Sequence, residues 1–152
     1  MQDSGYDWDS KILKNRAAGY QREKDAMRNA AFLDMGQPFA AGSLYSTVED
    51  LYRWDRVPNS EKMLSRKSLE AAWTPALNNY GYGWSIGKIA GEHRTISHGG
   101  GINGFSTFML RLPEDDAFIA VFAKMETPDA GAIAKELALM LLGQNVAPAA
   151  VH

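Results

Sequence analysis

The spacing of apolar positions changes character near residue 80. Residues 1–40 are polar and irregular: residues 16–20 and 30–33 read as short strand or loop segments around a charged insert, Arg22-Glu23-Lys24-Asp25, which suits a solvated loop or hairpin tip. Residues 41–75 hold two short helical patterns. Ser46-Thr47-Val48-Glu49 has the spacing of a capping box, so a helix is expected from Thr47, with Val48, Leu51, Tyr52 and Trp54 on its apolar side and Pro58 ending it. Ser65 is placed to cap a second helix that turns Leu69, Ala72 and Trp73 inward and closes at Pro75.

From Tyr80 the period is two. Tyr80, Tyr82, Trp84 and Ile86 alternate with Gly81, Gly83, Ser85 and Gly87, which predicts a strand with an aromatic face and a bare one. A turn at Ala90-Gly91-Glu92 leads to strands over residues 94–98, 105–112 and 117–124, the last two apolar on both faces, so the sheet needs cover on both sides. Thr127-Pro128-Asp129 then opens a helix that runs to about Leu142 and stops at Gly143. Its run Leu137-Ala138-Leu139-Met140-Leu141-Leu142 is apolar all round and asks for burial on more than one side, more than this chain offers. The pattern gives an α/β (α+β) architecture: an antiparallel sheet of three to four strands, a C-terminal helix packed on it and two short helices.

Composition narrows the function without setting it. With 152 residues, 45% of them hydrophobic, the chain is one domain or a large piece of one. A net charge of −2 and no basic run remove the footprint of a nucleic-acid binder, and no stretch approaches a membrane span. The absence of cysteine rules out disulfides, thiolate metal sites and a cysteine nucleophile and leaves the compartment open.

The candidate chemistry lies in His98-Gly99-Gly100-Gly101-Ile102-Asn103-Gly104-Phe105. Each glycine in an extended segment costs roughly 0.5–1 kcal/mol relative to alanine, so this run implies close approach of something to the backbone. On the residues alone, a hydrogen-bonded strand-end histidine beside a glycine bulge is the favoured reading. His93 and His98, five apart on a strand, diverge too far to share a metal.

The stretch resembles the third motif of the serine β-lactamase and penicillin-binding-protein superfamily, and three other segments match in order. Met1-Gln2-Asp3-Ser4-Gly5-Tyr6 is similar to the Gly-Met-x-x-Thr-Gly segment of class C β-lactamase-like hydrolases. Residues 40–51 are similar to their Ala-Gly-Gly-x-x-Ser-Thr-x-x-Asp-Leu segment, and Tyr80-Gly81-Tyr82-Gly83-Trp84 resembles the strand before the third motif. The resemblance implies that residues 1–152 are the C-terminal portion of such a domain, with sheet and helix in residues 80–143. It places His98 where the family has Lys, able to titrate near neutrality. It makes the Gly101 N–H an oxyanion donor and Gly99 and Gly100 a bare rail for substrate.

The family's acylated Ser-x-x-Lys and its Tyr-x-Asn have no counterpart here. Ser85-Ile86-Gly87-Lys88 has the spacing, but on a strand its Ser and Lys face opposite ways. Ala123-Lys124-Met125 departs from the asparagine that family members often carry after the last strand, which leaves room for ester substrates. The resemblance therefore implies half of a serine hydrolase of β-lactams, D-amino-acid peptides or esters, inert by itself and without cofactor or metal. The alternative is a non-catalytic ligand-binding or assembly module of the same fold. The implied partners are the missing N-terminal segment, or a second copy in a homo-oligomer, held at an open apolar edge along residues 117–124.

Overall fold

The computed structural model describes residues 1–57, 63–127 and 129–146. Its centre is a four-stranded antiparallel sheet of β5 (Ser85–Ile89), β6 (His93–Ile102), β7 (Phe105–Leu112) and β8 (Ala117–Ala123), in the spatial order β5-β6-β7-β8. Before it come β1 (Gly5–Tyr6), which pairs with β4 (Leu44–Tyr45), and a hairpin of β2 (Tyr20–Glu23) and β3 (Ala26–Asn29). Among the described residues, three α-helices complete the fold: α1 (Val48–Arg56), α2 (Arg66–Ala72) and α3 (Ala130–Leu141). The α+β class and the sheet read from periodicity are both present.

Alternation along β7 sorts the two faces. Phe108, Leu110 and Leu112 turn toward α3 and meet Ala138, with Ile89, Ala117, Ile119 and Leu142 around them. Arg111 turns the other way, beside the buried Ile96, and reaches Asp55 of α1. The sheet is thus a middle layer, as its doubly apolar strands require.

Several boundaries differ from the sequence reading. Thr47, not Ser46, caps α1, its hydroxyl accepting from Asp50 N–H at 3.2 Å, while Ser46 Oγ bonds Ser4 Oγ at 2.8 Å instead. The expected apolar side of α1 is partly outside: Val48 and Tyr52 are exposed, and the buried residues are Asp50 and Asp55. Pro58 and Pro128 lie outside the described residues.

No strand runs from Tyr80 to Trp84. Tyr80 makes one isolated bridge to Ser85, and Gly81 N–H closes a turn onto the Trp84 carbonyl at 2.8 Å, so the aromatic row is broken up. Trp84 stacks on Trp54 with centroids 5.8 Å apart, and Tyr82 is exposed. The strand expected at residues 94–98 runs through all the glycines to Ile102. Asp129, not Thr127, caps α3, accepting from Gly131 and Ala132 N–H at 2.8 and 3.1 Å. That helix lays Ala130, Gly131, Ala134 and Ala138 on the sheet and leaves Leu137, Met140 and Leu141 outside, 44%, 54% and 57% exposed. Small side chains allow close packing on the strands, and the large ones are left for another surface.

Candidate active site

β6 outruns its neighbour. Pairing with β5 ends at Ser85↔Ser97, so residues 98–102 have β7 on one side and an open edge on the other. A two-residue turn, Asn103-Gly104, links the paired Ile102 and Phe105, and the pair flanking such a turn is the hydrogen-bonded one. By alternation, Gly99 and Gly101 aim their N–H and C=O groups away from β7, out of the sheet edge. The register runs unbroken from Ile96↔Arg111 to Ile102↔Phe105, so the glycines do not form a bulge.

What a side chain would meet differs at each glycine. A Cβ at Gly99 would lie 3.1 Å from Phe108, and one at Gly100 would lie 2.8 Å from Thr107 Oγ1. At Gly101 it would meet nothing within 4 Å. The rail is tight against the sheet at Gly99 and Gly100 and open at Gly101.

The far end of the rail is pinned by contacts that the sequence does not flag. Gly104 takes φ +79°, and a Cβ there would lie 2.5 Å from Ala30 and 2.6 Å from Gly19, so only glycine fits the turn and the contact. Its N–H donates to Glu126 at 2.9 Å, and Asn103 Nδ2 donates to the Ala31 carbonyl at 3.1 Å. These contacts link residues far apart in the chain, which is why no local pattern announces them.

At the near end, His98 Nε2 lies 2.9 Å from Tyr80 Oη, with the rings edge to face. His93 is engaged elsewhere, its Nδ1 2.9 Å from Asp115, so the two histidines go to different partners. Ser85 and Lys88 lie on β5 at positions that alternation puts on opposite faces, and Lys88 Nζ pairs with Glu92 at 2.5 Å. Lys124, at the position after the last strand, lies over the Tyr20 ring at 5.5 Å. No cluster of three potential metal ligands occurs among the described residues.

Two buried carboxylates hold the frame around the rail. Asp50 is enclosed by α1 and the first residues. Burial raises its pKa, but hydrogen bonds from Ser4, the Asp3 N–H and Arg53 outweigh that and hold it at about 2. Asp55 forms a buried ion pair with Arg111 Nε, whose Nη2 also donates to the Asp55 carbonyl at 3.1 Å. Burial pushes the Asp55 carboxyl up and the Arg111 guanidinium down, each opposed by the charge of the other. A cavity of about 50 Å³ lies beside this pair, lined by Arg56, Trp73 and Asp116 among others, and away from the glycine rail.

The fold recurs in known proteins. The Beta-lactamase family model matches residues 1–143. Penicillin-binding protein 4* of Bacillus subtilis (strain 168) is 32% identical over 111 residues, which are 68% of this chain and 25% of that protein. The octameric penicillin-binding protein homologue from Pyrococcus abyssi superposes with a TM-score of 0.83 at 22% identity, over 95% of this chain and 35% of its own. The penicillin-binding protein from Bacillus halodurans gives 0.75 at 20% identity, over 93% and 45%. The chain therefore spans about a quarter of the curated relative and less than half of either structure.

Proposed function

The chain belongs to the Beta-lactamase family, and from that premise we propose that it supplies the oxyanion-donating half of a serine hydrolase. The substrates are β-lactams, D-amino-acid peptides or esters, cleaved through an acyl-enzyme. Gly101 N–H donates to the oxyanion beside the nucleophile's own N–H, and Gly99 and Gly100 form the rail along which the acyl group lies. His98 hydrogen-bonds or carries charge at the head of that rail. The observation that carries this reading is the open edge of residues 98–102, bare at Gly101 and unpaired by β5.

The nucleophile and its base come from sequence of the same domain not present in this chain, and the chain alone is inert. An oxyanion donor without a nucleophile stabilises an intermediate that never forms. Oligomerisation belongs to the same proposal: β8 is an edge strand, with Phe122 and the outer side of α3 exposed beside it. The second reading, a ligand-binding or assembly module, draws on the same rail, which can hold an extended ligand without chemistry.

Incubation with a fluorophosphonate or a β-lactam, followed by mass spectrometry of the intact chain, tests the inert state. The expected spectrum shows unmodified protein. A stoichiometric adduct on Ser85 or any other serine contradicts the proposal, and tight binding with no adduct under any pairing favours the module.

A further inference from the structure

We propose that Tyr80 is a positioning residue for His98, holding the imidazole through Nε2 and leaving Nδ1 as the ring nitrogen free for a ligand. This rests on the reading of residues 98–101 as a site. The direct observation is the contact of 2.9 Å between Tyr80 Oη and His98 Nε2, while Nδ1 has no hydrogen-bond partner among the described residues. A neutral imidazole has one donor and one acceptor nitrogen, and a phenol donates more readily than it accepts, so Tyr80 Oη at Nε2 favours the tautomer in which Nε2 accepts and Nδ1 carries the proton.

The backbone around Tyr80 is held in a specific turn. Asn78 and Asn79, the two residues before it, both take left-handed conformations, with φ 53° and 57°. The turn closes through Ala76 N–H to the Tyr80 carbonyl and Tyr80 N–H to the Leu77 carbonyl, both at 3.0 Å. On the other side, a Cβ at Gly81 would lie 2.2 Å from the Ala72 carbonyl oxygen, so glycine is obligatory where the chain presses on the end of α2. Tyr82 N–H then donates to that same carbonyl at 3.1 Å. Tyr80 is therefore held by its own turn on one side and by the end of α2 on the other, and the residue, 40% exposed, sets its phenol against His98 of β6.

The test is the tautomer ratio of His98 in the whole ¹⁵N-labelled chain, read from two-bond ¹⁵N–¹H correlations at a pH above the ordinary histidine range. The wild type shows one dominant tautomer, Tyr80→Phe lowers that preference about fivefold, roughly the equilibrium worth of one hydrogen bond, and Tyr82→Phe leaves it unchanged. Should Tyr80→Phe fail to fold, global 3-fluorotyrosine substitution keeps the ring and alters the phenol's hydrogen bonding, and it moves the His98 Nε2 resonance. An unchanged ratio in Tyr80→Phe, or an unmoved resonance in the fluorinated chain, overturns the proposal. The readout needs no turnover, so it fails or succeeds independently of the acyl-transfer reading.

Discussion

Asp50 shows how one residue ties distant sequence together. Its carboxylate accepts from the Asp3 N–H and Ser4 Oγ at 2.8 Å and from Arg53 at 2.6 Å, so it joins the start of the described chain to α1. Its pKa of about 2 lies below the ordinary 3.8, which means the unfolded chain binds more protons between those values. The contribution to stability is full above the ordinary value and is lost as the pH falls through the folded one. Denaturant unfolding of wild type and Asp50→Asn over that window is expected to converge, the wild type losing its advantage as the carboxylate protonates. The aspartate was legible in the sequence only as one letter of a family segment. Two of its partners lie 46 and 47 residues away, beyond any local rule. His98 and the glycines stand out in the sequence as candidates because glycines in a strand are costly, whereas the contacts of Tyr80, Asn103 and Glu126 are not encoded in spacing.

At the scale of elements, period two served well where strands are paired along their whole length and misled where they are not. β7 was legible to the residue, and β8 nearly so. The alternation of residues 80–84 is a turn, because the left-handed asparagines and the contact of Gly81 with α2 override it. The cap of α1 moved by one residue because Ser46 is taken by Ser4, leaving Thr47 to satisfy the helix amide. α3 is instructive for the same reason. Its apolar run was read as needing two buried sides, and within the described residues it has one, lined by alanine and glycine. Sedimentation at micromolar to tens-of-micromolar concentration is expected to show an assembly larger than one chain, and charged substitutions at Leu137 and Leu141 are expected to reduce it to monomer. A wild-type chain that sediments as a monomer removes the oligomer from the account.

For the whole molecule, the layers explain where the candidate site lies. α3 covers β7 and β8 on one face and α1 covers β8 on the other, and β5 stops short, so among the described residues the stretch of β6 with a bare edge is the glycine rail. Two anchors keep that rail straight: Tyr80 at its head and the Gly104 turn, packed on Gly19 and Ala30, at its foot. The chain is half of a catalytic centre in this account. The measurement that tests it most directly is turnover of a chromogenic β-lactam or ester by the chain alone, by the chain co-expressed with its upstream segment, and by the same pair carrying Gly101→Pro. Proline removes an N–H that the β6–β7 ladder does not use, so the strand is expected to keep its pairing. The account predicts turnover only from the pair, falling by about 10²–10³-fold with the loss of one oxyanion donor. Turnover by the chain alone, or an undiminished rate in a folded Gly101→Pro pair, contradicts it.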